Sequence, residues 1–227
     1  MLMGEAVISS AAPFWDELHE QRRFRPAYPN EHVVRFLMRH YSNQRDELPR
    51  ALDIGVGGGR HTKLLCELGF DAYGIDISLT GLKFALGDIA KSGRKAQLSR
   101  ASMISLPFRD ESCDVVISVG VFYYGYARDE RDAIQECCRI LKRGGRAFVI
   151  VRSTRDYRFG KGKELEPNTY RMESNETNEM GTIQHFLTEE AVCEYFSSFF
   201  RLEIEKAETT FMGRRALNSD WLITAQK

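Results

Sequence analysis

Neither sign of charge dominates this 227-residue chain: 32 lysines and arginines face 32 aspartates and glutamates. That balance argues against a partner held mainly through a phosphate backbone and leaves room only for a local basic patch. Long apolar runs are missing too. No stretch approaches the ~18 consecutive apolar residues of a membrane span. Residues 1–13 carry Glu5 and no basic segment, so they do not read as a secretory signal. Cysteine is scarce and odd in number. Cys66, Cys113, Cys137, Cys138 and Cys193 contain no C-x-x-C pair. Such a set argues against a disulfide framework or a zinc site, and for reduced thiols in a cytoplasmic protein; no metal is expected. Internal repeats and low-complexity segments are absent. The expectation is one domain over 1–227, long enough to bury a sizeable core.

What is present concentrates around Leu52-Asp53-Ile54-Gly55-Val56-Gly57-Gly58-Gly59-Arg60. The run reads as a buried strand, a glycine turn and the start of a helix. Glycine there lets the backbone adopt positive φ and approach a ligand closely. Tyr73-Gly74-Ile75-Asp76-Ile77 then reads as the next strand, ended by an acid 21 positions after Gly55. That is close to the ~20-residue gap between glycine turn and ribose-binding acid in dinucleotide sites. An adenosine-bearing cofactor is implied. A nicotinamide dinucleotide fits poorly, because Arg60 occupies the close-packing position and the Asp53 carboxylate would repel a pyrophosphate.

The rest of the chain alternates. Helical spacing marks 31–41, 60–68, 79–91 and 130–141, and short apolar runs mark strands at 51–54, 72–75, 97–101, 114–119 and 147–151. Alternation of this kind implies a parallel sheet with helices on both faces. Residues 153–181 break the pattern. They are polar, glycine-bearing and read as structureless, hence as a functional or disordered insertion. A helix from Thr188 to about Phe199 and strands at 202–207 and 221–225 follow.

The glycine run resembles the first motif of the class I S-adenosylmethionine-dependent methyltransferases. Gly74-Ile75-Asp76-Ile77-Ser78 resembles the second. The stretch Leu106-Pro107-Phe108-Arg109-Asp110-Glu111-Ser112-Cys113-Asp114-Val115-Val116-Ile117-Ser118 resembles the family's approach to its fourth strand. Glu136-Cys137-Cys138-Arg139-Ile140-Leu141-Lys142-Arg143-Gly144-Gly145-Arg146-Ala147-Phe148 resembles its helix-to-fifth-strand junction. The likeness runs through 51–152 and to the small-molecule, type 11-like branch. It implies a Rossmann-like, doubly wound, seven-stranded and mostly parallel sheet, with helices on both faces and an antiparallel hairpin at its edge. It divides the domain into a helical cap or lid (1–50), a cofactor core (51–152), a substrate-side insertion (153–185) and a last helix with the edge hairpin (186–227).

The resemblance also implies site residues. Asp53, Gly55, Val56, Gly57 and Gly59 would cradle the methionine moiety of S-adenosylmethionine, with S-adenosylhomocysteine as product. Asp76 would hold the ribose, and Ile77 with Met103 would flank adenine. Where relatives carry an acid for the adenine amino group, this chain has Ser102, a weaker acceptor. Val119 and Gly120 would meet the cofactor from the end of the fourth strand.

Tyr123 and Tyr124 stand where many relatives place a substrate-facing histidine, but an ordinary tyrosine is a poor base at neutral pH. His185 is a further candidate base. Arg152, Arg155 and Tyr157 open a basic, aromatic run after the fifth strand, suited to an anionic acceptor through guanidinium forks. A solvated loop balanced by the following glutamates is the bland reading. Tyr28 is the candidate lid residue.

No Asn/Asp-Pro-Pro-Tyr/Phe tetrapeptide follows the fourth strand, which disfavours methylation of a base's amino group. The expectation is therefore a monomeric or homodimeric methyltransferase acting on a small molecule, with an oxygen acceptor ahead of nitrogen. An RNA or protein methyltransferase, and a non-catalytic cofactor-binding module, stand as alternatives.

Overall fold

The computed structural model describes residues 3–42, 49–173 and 179–227, with side chains from residue 10 onward. Five strands are parallel: β1 (Arg50–Ile54), β2 (Asp71–Asp76), β3 (Gln97–Arg100), β4 (Cys113–Val119) and β5 (Leu141–Arg152). Two long strands, β9 (Arg201–Phe211) and β10 (Ala216–Gln226), form an antiparallel hairpin on β5. The order across the sheet is β3-β2-β1-β4-β5-β10-β9. The expected sheet and edge hairpin are both there. Chain order reverses between β1 and β4, which opens a crevice beyond their carboxyl ends.

Period-two alternation sorts the apolar residues between two layers. Val115 and Ile117 of β4 pack with Val33, Phe36 and Leu37 of α2 (Glu31–Tyr41), Leu65 of α3 (Arg60–Glu67) and Ile89 of α4 (Leu79–Lys91). Val116 points the other way. It joins Ile134 and Ile140 of α5 (Ala127–Ile140) and Val192 of α6 (Glu189–Tyr195). A strand covered on both faces needs apolar side chains on both, hence the continuous Val-Val-Ile run. Caps fix several helix starts. Asn30 accepts the His32 N–H, Ser78 the Gly81 N–H and Thr188 the Ala191 N–H.

Three expectations are corrected. Residues 153–181 are not structureless. They contribute β6 (Gly162–Glu166) and β7 (Thr169–Met172), which join β8 (Ile183–His185) in a separate antiparallel sheet. Tyr170, Met172 and Phe186 give that sheet its own small core, with Phe159 against it. The few apolar residues are separated by glycines and charges, so no window showed their alternation. The helix expected to reach Phe199 ends at Tyr195. Helix α5 begins at Ala127 rather than 130, because the Asp129 carboxylate caps the Tyr126 N–H at 2.9 Å. Before all of this lies α1 (Met3–Glu20), an 18-residue helix that accommodates Pro13.

Candidate active site

The turn after β1 is built by its glycines for two different reasons. Gly55 (φ +80°) and Gly59 (φ +89°) are required by packing: a Cβ would stand 2.2 Å from Val121 Cγ2 at the first and 2.7 Å from Ala85 Cβ at the second. Gly57 (φ +50°) is different. A Cβ there would meet only His19 Nε2, at 3.5 Å. The turn is therefore tight on its protein side and open at Gly57 on the other. The Gly55 and Val56 N–H groups donate to the Ile75 carbonyl, which ties the turn to the end of β2.

Asp76 closes that tie. Its Oδ2 accepts the Gly57 N–H at 2.7 Å and its Oδ1 the Ser78 N–H at 2.8 Å. Each oxygen keeps capacity for another donor. Burial raises the carboxyl's pKa, and the Ser78 and Gly57 N–H groups oppose that rise. Asp53, by contrast, turns away from the site. It is buried beneath α3, its Oδ2 accepting the Thr62 hydroxyl at 2.7 Å. Burial lifts its pKa to about 7, against the Thr62 bond. Oδ2 thus anchors the first turn of α3, while the buried Oδ1 has no partner among the described residues.

A cavity of about 830 Å³ opens beyond β1, β2 and β4. Gly55, Val56, Gly57 and Asp76 line it, as do Ile77, Ser102, Met103, Val119 and Gly120. Gly59, whose φ serves the helix start, does not. A further wall comes from α1, within the segment read as a cap or lid, through Phe14, Trp15 and His19, which the sequence did not single out as site residues. Its Asp16 Oδ1 accepts the Ser78 hydroxyl at 2.7 Å and the Thr80 N–H at 2.9 Å. Spacing of four between Trp15 and His19 was the available signal, and Pro13 concealed it. Trp15 reaches the far end of the cavity, where its ring meets Tyr124 edge-on at 4.6 Å. Tyr28, the expected lid, projects into solvent at 84% exposure, and its carbonyl accepts from Arg60 at 3.3 Å.

The expected substrate residues are committed elsewhere. Arg152 is buried, with Nη2 donating to Glu179 Oε1 at 2.8 Å and Nη1 to Gln184 Oε1. Its guanidinium lies 4.2 Å from the Tyr123 ring centroid. Burial alone would lower the Arg152 pKa, but Tyr123, Tyr124 and Glu179 outweigh it and hold the charge. Glu179 also accepts the Tyr124 hydroxyl at 2.5 Å. Arg155 pairs with Glu208 at 3.1 Å, and Tyr157 packs on Phe211 at 5.1 Å. Neither lines the cavity, nor do Arg152 and Tyr123.

No ready base is found among the nominated groups. Burial pushes Tyr123 up to about 12 and Tyr124 well above the ordinary tyrosine value. His185, the last residue of β8, is bonded through Nδ1 to Thr169 Oγ1 at 2.8 Å and through Nε2 to Tyr195 at 3.3 Å. Burial lowers it to about 4. Sequence reasoning also missed Arg171 of β7. It lines the cavity beside Thr182 and Ile183, and it has no ion-pair or hydrogen-bond partner through its side chain among the described residues.

The residues present fit an adenosine-bearing sulfonium cofactor. Gly57 leaves backbone open to the cavity, Asp76 offers unused acceptor capacity, and Ile77 and Met103 supply apolar wall beside Ser102. Among the described residues no group of side chains is arranged to hold a metal ion, and no helix is long and apolar enough to cross a membrane.

Known proteins resemble this one in the same region. Residues 52–149 match the family described as Methyltransferase domain. The chain is 29% identical over 170 residues to a probable tRNA methyltransferase 9B of Mus musculus, an alignment covering 71% of this chain and 32% of that protein. It is 30% identical over 148 residues to a ubiquinone biosynthesis O-methyltransferase of Sinorhizobium medicae, covering 62% of this chain and 59% of that one. A crystal structure of an S-adenosylmethionine-dependent methyltransferase from Methanosarcina mazei shares the fold, with a TM-score of 0.67 at 23% identity over 84% of this chain and 96% of that one. The chain thus spans about a third of the mouse protein and under two thirds of the bacterial enzyme.

Proposed function

We propose that this chain, whose residues 52–149 match the Methyltransferase domain family, is a class I S-adenosylmethionine-dependent methyltransferase and that it methylates an oxygen of a small, anionic acceptor. When bound, S-adenosylmethionine supplies a methyl carbon already made electrophilic by its sulfonium. The chain then has to position the acceptor in line with it. An acceptor oxygen that is ionised at neutral pH requires no base, and Tyr123, Tyr124 and His185 are poor ones here.

The observation that carries the reading is Arg171. Its neighbour cations Arg152 and Arg158 are balanced by Glu179 and Asp156, while Arg171, exposed on β7, lines the cavity and its guanidinium has no partner among the described residues. Trp15 and Phe14 of α1 cover the same space with aromatic surface, which favours excluding water from a charged oxygen's approach. The Sinorhizobium relative, an O-methyltransferase by name, supports oxygen as the acceptor.

An RNA acceptor is the second reading, favoured by the name of the mouse relative. Zero net charge weighs against it.

The test is transfer of labelled methyl from S-adenosylmethionine to a panel of carboxylic acids, phenols and tRNA, followed by mild alkali. A carboxylate acceptor gives alkali-labile label, and a phenol gives stable label in a small product. Arg171→Gln should raise acceptor KM about tenfold or more, the worth of a charge-assisted pair, and leave S-adenosylhomocysteine affinity unchanged. Label in tRNA alone, with steep salt dependence, would move the RNA reading to the front.

A further inference from the structure

His19 is nine-tenths buried at 7% exposure, on a helix outside the region shared with the family, and its Nε2 has no hydrogen-bond partner among the described residues. The hydrogen bonds around it settle which nitrogen carries the proton. Ser78 has a single hydroxyl proton, and Oγ lies 2.7 Å from Asp16 Oδ1, which can only accept. Asp16 stays ionised, because its bonds to Thr80 and Ser78 outweigh its slight burial. Ser78 Oγ also accepts the Gly81 N–H at 2.9 Å. One lone pair remains for His19 Nδ1 at 3.0 Å, so Nδ1 must be the donor.

The charged groups facing the ring are Asp76 across the turn, Asp16 on its own helix and Arg25. Burial favours the neutral ring against the two carboxylates. Neutral His19 with a protonated Nδ1 leaves Nε2 a bare acceptor. That nitrogen points at the open side of Gly57, 3.5 Å from where a Cβ would stand, and His19 lines the cavity. On the other side of Gly57 lies the Asp76 carboxylate, bonded to its N–H at 2.7 Å. Two acceptor groups thus flank one glycine that has no side chain to block them.

We propose that His19 and Asp76 together grip the vicinal diol of the cofactor's ribose, each taking one hydroxyl proton, so that cofactor binding and the docking of α1 are a single equilibrium. The inference rests on the cofactor assignment and adds a residue that the glycine-turn motifs do not contain. It also gives α1 a reason to be seated. Asp16 and His19 hold it to the start of α4, and Trp15 carries the same helix to Tyr124 at the acceptor end. Cofactor seated on His19 therefore completes the acceptor wall.

Calorimetry with S-adenosylhomocysteine and its 2′,3′-dideoxy analogue tests this, using the wild type, His19→Ala, His19→Gln and Asp76→Asn. His19→Ala should weaken S-adenosylhomocysteine about tenfold and leave the dideoxy analogue's affinity at the wild-type value. His19→Gln, which keeps an acceptor oxygen and much of the ring's reach, should recover part of the loss. Amide hydrogen exchange across residues 10–20 should slow on adding S-adenosylhomocysteine to the wild type and not to His19→Ala.

Equal loss with both ligands in both His19 variants would overturn the proposal, since the ring would then be packing alone. So would wild-type affinity in His19→Ala. Failure of the wild type to bind S-adenosylhomocysteine at all would overturn the cofactor assignment and this inference with it.

Discussion

Glu130 offers the sharpest test of how this fold handles charge. It sits in the first turn of α5, fully buried, and neither carboxylate oxygen has a partner among the described residues. Burial pushes its pKa up to about 8. An unpaired carboxylate in such a place is far costlier ionised than neutral, so the folded state holds the acid form through neutral pH. The sign follows from the direction. A folded-state pKa above the unfolded value stabilises fully below about pH 4.5 and is lost as pH rises toward 8. The span from 4.5 to about 8 is worth ~5 kcal/mol at full ionisation, and between pH 5 and 8.5 stability should fall by up to about 4 kcal/mol on this account. Glu130→Gln is neutral at every pH and removes the dependence. Its buried amide adds a constant penalty but no slope. Urea denaturation at half-unit steps from pH 5 to 8.5 reads the difference. The two proteins should converge near pH 5, after that constant offset, and the variant should gain steadily above it. Parallel curves would refute the reasoning, because they would mean that Glu130 titrates near its unfolded value and that water or a partner reaches it.

Four further outcomes follow from the same geometry. His61 behaves oppositely to Glu130: its Nε2 accepts the Asn30 N–H at 3.1 Å and burial lowers its pKa to about 3, so its contribution is present above about 6.5 and lost as pH falls, and His61→Gln should flatten the acid limb of the urea series. Gly59→Ala places a Cβ 2.7 Å from Ala85 at φ +89° and should cost about 2 to 4 kcal/mol by thermal denaturation; an unchanged Tm would show that the turn relaxes freely. Arg152→Leu takes from the half-buried Glu179 its nearer cation, Arg158 remaining at 3.5 Å, and should cost about 3 kcal/mol, much of it restored in Arg152→Leu/Glu179→Leu; no restoration in the double variant would sink the paired-charge account. Trp15 and Trp221 are the two tryptophans, and Trp221 is buried with its indole N–H on the Leu187 carbonyl, so fluorescence quenching by S-adenosylhomocysteine should vanish in Trp15→Phe.

The cofactor half of the molecule was legible because its signals are local. A strand, a turn that demands positive φ and an acid at fixed spacing are all read within 25 residues or so, and the apolar runs of β4 and β5 announce strands covered on both faces. The acceptor half was not, because its logic is long-range. Arg152 and Glu179 are 27 positions apart, and nothing in the run of cations after β5 says which of them a glutamate will neutralise. Asp53 shows a related limit: proximity to the glycines in sequence does not say that alternation along β1 turns one of its oxygens toward Thr62. His185 was read as a base from its chemistry alone. Thr169 and Tyr195, which occupy both its nitrogens, come from strand and helix partners that no spacing rule pairs.

Asp53 apart, these residues share a location, and the location is informative. The region matching the family ends at residue 149, and within it lie the turn, Asp76, the Ile77–Met103 wall and Gly120. The other walls come from outside it: Phe14, Trp15 and His19 from α1, and Arg171, Thr182 and Ile183 from the inserted sheet. Likeness to the family therefore constrains what is bound against β1 and β2 and says little about what is methylated. Two segments of this chain's own, one before the core and one after β5, meet where Trp15 touches Tyr124 and Tyr124 bonds Glu179. The proposed function puts substrate choice in those segments, so exchanging residues 153–185 with a relative's should transfer acceptor preference without changing affinity for S-adenosylhomocysteine. If acceptor preference instead stayed with the core, the cavity's outer end would be only a cover and the argument from Arg171 would fall.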